Sequence, residues 1–462
     1  MSGFSFPFPF FPVQFTKDGV LFQQSDSDAL MHGIEAGVTD LFVMSHGWNN
    51  NMDTAQNLYS GLSTQLAAQI AAAAPLKGRT FAICGVLWPS KQFDESDLIP
   101  GGAASLNDAV TDDQLRARVG NLADLIQARG WPMEAPDNAA QSKLDAVMQS
   151  VDDWADDPGV RNDVVTSIRE LLPPDSADAE DASDRFFAMK PELLLANLSR
   201  TLNPPPNLPE GANASSLDPF AGDSASGLGG AASFRDVLGG VQASLLHLLN
   251  FTTFYLMKAR AGDVGAKGVA PLIQGVRGAR PGLRLHLVGH SFGCRVVTAA
   301  VNALPDSGQL RPNTMTLLQG AFSHNGFASK FDDVNDGAFR QVVARKKVRG
   351  PILITHTHND KAVGIAYPIA SRIAGQTAAA LGDENDIYGG LGSNGAQNQN
   401  TTPDRVVGTL LDVGGSYPFA AGATSGRLYN LRADAFIAGH SDIVKPQVAY
   451  AVSVALGAPD AA

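Results

Sequence analysis

The stretch Leu283-Arg284-Leu285-His286-Leu287-Val288-Gly289-His290-Ser291-Phe292-Gly293 decides how this chain is read. Leu283, Leu285 and Leu287 alternate with other residues and so share one face of a strand. The residues that follow, Cys294-Arg295-Val296-Val297-Thr298-Ala299-Ala300-Val301, read as a helix. A strand therefore turns sharply into a helix, with Ser291 at the apex and a glycine two places to each side. A tight turn with a strained apex leaves no room for nearby β-carbons, and the strain holds the apex side chain up above the sheet. The pentapeptide alone is a weak signal. Its setting between strand and helix makes it specific.

A serine presented in this way is placed as a nucleophile. Its hydroxyl reacts poorly near neutral pH, so it needs a base to take the proton and a third group to orient that base. The strand-like run Pro351-Ile352-Leu353-Ile354-Thr355-His356-Thr357-His358 ends in Asn359-Asp360, ahead of a helix-like stretch opening at Ala362-Val363-Gly364. A carboxylate at the carboxyl end of a sheet strand lies where such sheets gather functional groups, so Asp360 is the expected acid. Asp332, Asp333 and Asp336 compete for the role, but their clustering reads as a solvated turn. The last strand-like run, 427–437, leads into Ala438-Gly439-His440-Ser441-Asp442, which makes His440 the expected base. His32, His247 and His286 lie in helix-like or strand-like runs and read as structural.

With serine, acid and histidine in this order, the chain resembles the α/β-hydrolase serine esterases and lipases over residues 36–90 and 236–450. The resemblance implies an α/β fold with a doubly wound, mostly parallel sheet and a helical cap or lid insertion. It extends to the strand-like Asp40-Leu41-Phe42-Val43-Met44-Ser45, followed by His46-Gly47-Trp48, which is similar to the family's HG oxyanion segment. By that resemblance the oxyanion of an acyl intermediate would be held by the backbone N–H of Phe292 and of either Gly47 or Trp48. His46, Trp88 and His290 are expected along the substrate site, His290 packed beside the nucleophile and His46 shaping the oxyanion loop. No metal or organic cofactor is implied.

The run Thr355-His356-Thr357-His358-Asn359-Asp360-Lys361 also resembles the T-H-x-H-x-D-H signature of metallo-β-lactamase-fold hydrolases. Here the final histidine is Lys361, and His440 is the sole histidine after it, so the ligand set falls short. The plainer reading is a polar strand end that delivers Asp360.

The 462 residues suffice for one large α/β domain with an insertion, and 44% hydrophobic content is ordinary for a globular chain. Cys84 and Cys294 offer no disulfide framework and read as buried thiols of a cytoplasmic protein. The start, Met1 to Pro12, has no basic segment and carries prolines at 7, 9 and 12, which argues against a signal peptide. It reads as an extended arm laying Phe4, Phe6, Phe8, Phe10 and Phe11 against something apolar, such as a partner subunit in a homo-oligomer. Val237 to Met257 lacks Asp, Glu, Lys and Arg, yet Gln242, Ser244, His247, Asn250, Thr252 and Thr253 make it too polar for a membrane span.

Residues 91–235 hold 25 acidic against 11 basic residues and account for the whole acidic excess behind the net charge of -12. That balance disfavours a nucleic-acid partner. The segment is an insertion, and residues 1–90 and 236–462 are expected to form the core. Inside it Leu115, Val119, Leu122 and Ile126 share one helical face. So do Leu144, Val147, Met148, Val151 and Trp154, and then Val160, Val164, Ile168 and Leu171. Three amphipathic helices with acidic outer faces predict a cap. Pro204-Pro205-Pro206 and the Gly/Ser/Ala-rich stretch 211–233 have the composition of a mobile linker, as does a second stretch from Gly389 to Thr402. The expected function is hydrolysis of a small-molecule carboxylic ester by a serine mechanism. A lipase on longer acyl chains, a serine peptidase, or a non-catalytic binding protein on the same fold are the alternatives.

Overall fold

The computed structural model describes residues 4–35, 37–48, 50–90, 111–128, 131, 137–199, 240–360, 370, 373–374, 386–398, 405–420 and 424–459. Eight strands form one sheet: β1 (Phe10–Gln14), β2 (Asp40–Ser45), β3 (Phe81–Leu87), β4 (Arg284–His290), β5 (Thr314–Leu318), β6 (Ile352–His356), β7 (Arg405–Thr409) and β8 (Leu428–Arg432). Their order is β1-β3-β2-β4-β5-β6-β8-β7, and every pairing between them is parallel. Parallel sheets need cover on both faces, which explains why β2, β3 and β5 are buried along their whole length. Leu285 and Leu287, the alternating residues of the strand before the serine, are fully buried, and each such side chain stabilises the fold by about 2 kcal/mol.

The amino-terminal arm covers this chain's own sheet. Residues 10–14 form the edge strand β1 against β3, with Pro12 at an edge where a missing N–H is tolerated. Phe6 stacks on Phe10 at 4.0 Å, while Phe8 lies 5.6 Å from Phe81 and 6.4 Å from Phe42. The apolar surface expected of a partner subunit is thus supplied from within.

Chain order reverses between β2 and β4. After β2 the chain crosses to β3 on one side, and later returns to place β4 on the other. Functional groups gather at the carboxyl ends of the strands beside such a switch point. Ser45 is in register with Gly289, so His46-Gly47-Trp48 and His290-Ser291 leave the sheet side by side.

At the amino end of the same two strands lies a buried ionic cluster. Asp40, fully buried, accepts from Arg79 Nε at 3.0 and 3.1 Å, from His286 Nε2 at 2.9 Å and from Thr39 Oγ1 at 2.6 Å. Burial pushes the Asp40 carboxyl up, but the bonds from His286 and Arg79 outweigh it and hold the group well below the usual carboxylate range. Arg79 also donates to Leu456 O, tying in the last helix, Pro446–Leu456. A depressed carboxyl adds stability above its unfolded titration point near pH 4 and loses that contribution as pH falls through the folded one. Asp40→Asn is therefore expected to lower unfolding free energy at pH 7 by about 3 kcal/mol or more in urea titrations, and by less at pH 3.

The chain divides into two compact units, Met1–Pro89 with Arg260–Asp360 and Gly390–Ala462, and Ser90–Ala259 with Lys361–Gly389. In the second unit the expected amphipathic runs are helices Asp112–Ile126, Asn138–Gln149 and Pro158–Arg169. Leu115, Val119, Leu122, Leu144, Val147, Trp154, Val164 and Ile168 are buried. Among the described residues no helix is long and apolar enough to cross a membrane, including Val241–Asp263. The proline run 204–206, the stretch 211–233 and the residues opening at Ala362 lie outside the described residues.

Candidate active site

Ser291 adopts φ 55° and ψ -125°, a region that side-chain-bearing residues rarely occupy. Three backbone bonds hold it there. Its N–H donates to Leu318 O at 3.1 Å, and its carbonyl accepts from Cys294 N at 3.0 Å and Ala321 N at 3.1 Å. The surroundings admit no extra atoms. A β-carbon on Gly293 would lie 2.1 Å from Ser45 O, and one on Gly47 would lie 2.3 Å from Ser291 Cβ. The loop after β2 and the turn after β4 therefore touch backbone to backbone, as the switch-point register requires.

Asp360 and His440 meet as expected. Asp360 is 1% exposed and its Oδ2 accepts from His440 Nδ1 at 2.8 Å. The bond places the imidazole proton on Nδ1 and leaves Nε2 as the basic nitrogen. The two loops are stitched together elsewhere too. Asn359 Nδ2 donates to Ile437 O at 2.9 Å, and Thr357 Oγ1 to Asp434 Oδ1 at 2.8 Å.

His290 joins the serine turn to the loop of His440. Its Nε2–H donates to the His440 carbonyl at 3.0 Å, and the rings lie 5.0 Å apart. Burial first, and the neighbouring His440 second, pull His290 down to about 3. It is therefore a neutral strut at any working pH.

The loop His46-Gly47-Trp48, expected to hold an oxyanion, is braced by residues expected to line the substrate site. His46 and Trp88 are fully buried, their rings stacked at 5.5 Å. His46 N–H donates to Tyr59 Oη at 2.8 Å, His46 Nδ1–H to Gly47 O at 2.9 Å, and Trp88 Nε1–H to His46 O at 3.1 Å. Burial lowers His46 to about 4, so it stays neutral. Asn50 Nδ2 donates to Gly47 O at 3.1 Å and Trp48 O at 2.9 Å, and Trp48 sits edge-on to Phe292 at 6.2 Å. Phe292 opens the helix Phe292–Ala303, whose amino end carries positive partial charge.

One partner of Asp360 gave no sequence signal. Gln319 Nε2 donates to Asp360 Oδ2 at 3.3 Å and to Gly392 O at 3.1 Å. Gly392 belongs to the stretch that composition reads as a linker. Its described part instead contains a buried helical turn, Leu391–Asn394. Side-chain amides hold it: Asn430 Oδ1 accepts from Ala396 N at 3.0 Å, and Asn398 Nδ2 donates to Asn325 Oδ1 at 2.7 Å. Composition cannot distinguish an Asn/Gly-rich linker from an Asn/Gly-rich turn whose amides are consumed internally.

The histidines of the metal-like run point apart in their contacts. His358 faces Asp434 at 3.4 Å, His356 is buried, and Asp360 is bonded to His440. Among the described residues no group of three or more His, Cys, Asp or Glu is placed to hold a metal ion. Asp332 and Asp336 form the solvated turn, accepting from Asn335 N and Ser329 Oγ. Cys84 and Cys294 are buried and free.

No family model, curated protein or solved structure matches the chain.

The chemistry of the site is therefore read from its own geometry: a strained serine, a buried acid bonded to a histidine, and a backbone loop pressed against the serine. Gly47→Ala is expected to displace that loop, because the new methyl overlaps Ser291. The rate of Ser291 labelling by a fluorophosphonate should fall at least about tenfold, with the thermal melt retained.

Proposed function

We propose that the protein is a serine hydrolase of the α/β-hydrolase type that cleaves carboxylic esters through an acyl-enzyme. The observation that carries this reading is Ser291 at φ 55° on the turn after β4, with its neighbour His290 bonded to the very residue, His440, that is oriented by Asp360.

In this reading His440 Nε2 takes the Ser291 proton as Oγ attacks the acyl carbonyl. Asp360 holds the ring and balances the imidazolium that forms. The backbone N–H of Phe292 and that of Gly47 or Trp48 stabilise the oxyanion, and they need no reorganisation because the loop is already braced by Tyr59, Trp88 and Asn50. Collapse of the intermediate gives the proton from His440 to the leaving alcohol. Water then enters, loses a proton to His440, and releases the acid while regenerating Ser291.

Two outcomes follow for p-nitrophenyl esters from acetate to palmitate. Ser291→Ala should lose at least about a thousandfold in kcat, and EDTA should leave the wild type unaffected. The acid limb of kcat/KM should follow a single proton, because His46 and His290 are held neutral down to about 4 and 3. Hydrolysis that survives in Ser291→Ala, or a limb of two protons, would count against the triad.

A further inference from the structure

We infer that Gln319 is a positioning residue for the acid–base pair: its side-chain amide fixes Asp360 Oδ2 in the orientation that His440 requires. The inference rests on reading Ser291, His440 and Asp360 as a hydrolytic triad, and it extends that reading to a residue with no place in the G-x-S-x-G, acid and histidine pattern.

Gln319 follows the last residue of β5, Leu318, and is fully buried. Its backbone sits at φ 48°, an uncommon conformation for a residue with a side chain. Strain of this kind persists only where the surroundings over-determine it, and it clusters at functional sites. Here the surroundings are explicit. Gln319 Oε1 accepts from Thr355 Oγ1 at 2.9 Å, a hydroxyl that could serve either end of the amide. The other end faces Asp360 Oδ2 at 3.3 Å and Gly392 O at 3.1 Å, and this decides that it is Nε2. Both are acceptors, so the two amide protons are matched one to each.

The far side of the amide is closed by Gly392. A β-carbon there would lie 2.9 Å from Asp360 Oδ2 and 2.7 Å from Gln319 C. Thr357, three residues before the acid, donates its N–H to Gly392 O at 2.9 Å. The amide, the glycine and the turn carrying Asp360 thus form one closed set of bonds.

The same oxygen, Oδ2, accepts from His440 Nδ1 and from Gln319 Nε2. Among the described residues, these titratable groups bear on this carboxylate. They are His440 from the base loop, His290 from the turn after β4, and Cys294 from the helix behind it. Burial holds His290 neutral and pushes the Cys294 thiol well up. Gln319 therefore supplies a neutral donor that steadies the carboxylate without adding a charge that would compete with the imidazolium. Its loss should leave more of the carboxylate's charge to the imidazolium, raising the proton affinity of the pair.

The test uses the full chain with Gln319→Met, nearly isosteric but without an N–H donor, and Thr355→Val, which leaves Gln319 Oε1 without its donor. The expected result for Gln319→Met is a kcat lower by about tenfold, with KM within about twofold. The His440 titration midpoint, followed by proton NMR, should move up by about half a unit. Thr355→Val should shift both in the same direction by less. A folded Gln319→Met with unchanged kcat and unchanged midpoint overturns the inference. So does an equal loss in kcat with no movement of the midpoint, which marks a merely structural role. A wild type that neither hydrolyses esters nor takes up a fluorophosphonate overturns the hydrolase reading instead, because the NMR midpoint tests the Gln319 contact without turnover.

Discussion

The close approach of the loop after β2 to the turn after β4 is the constraint on which the site depends. Ser45 and Gly289 are in register across the two strands, and the chains that leave them have no gap in which to diverge. Gly47 must lack a side chain because Ser291 already fills that space, and Gly293 must lack one because the carbonyl of Ser45 does. The strained serine, the packed backbone of the 46–48 loop and the buried His46 are consequences of one contact between two loops. A sheet with the same strands in another order would place these loops apart and leave an ordinary serine on an ordinary turn.

Polar groups, more than apolar ones, organise the space around the acid. Asp360 receives His440 and Gln319, Thr357 reaches Asp434, and Asn359 reaches Ile437. Buried polar groups stabilise when all their partners are present and destabilise strongly when one is removed. An apolar core tolerates small shifts of its members, whereas a bonded carboxylate has a definite direction. The network thus trades tolerance for orientation, and it sets the direction in which Asp360 holds the His440 ring.

Much of this was legible in the chain. Leu283, Leu285 and Leu287, followed by glycines around Ser291, predict the strand, the turn and the helix, and Asp360 and His440 follow from the two later strand ends. These signals are local: alternation, a tight turn, a polar residue where an apolar run stops. Gln319 could not be seen in the same way, because its role comes from a backbone angle and from three partners distant in sequence, Thr355, Asp360 and Gly392. The Gly389 stretch misled for a related reason. Its asparagines and glycines are a solvated linker or an internally bonded turn according to whether Asn325 and Asn430 lie within reach, and only tertiary structure decides that. The phenylalanine arm was likewise recognisable as apolar and extended, but its surface, β3 and Phe42, lies far along the chain.

The pairing of β2 with β4 also governs how the molecule is made. Residue 40 lies opposite residue 284, so the central pair of the sheet cannot form until most of the chain has left the ribosome. During that interval β2 and β3, both strongly apolar, have each other and β1 but lack their third neighbour, and one edge of the half-built sheet stays open. Residues 90–259, which emerge in the meantime, belong to a separate compact unit that is completed only by residues 361–389. Non-local parallel pairing of this kind is slow. The strained turn at Ser291 therefore comes into being at a late step of folding, when β4 slots beside β2.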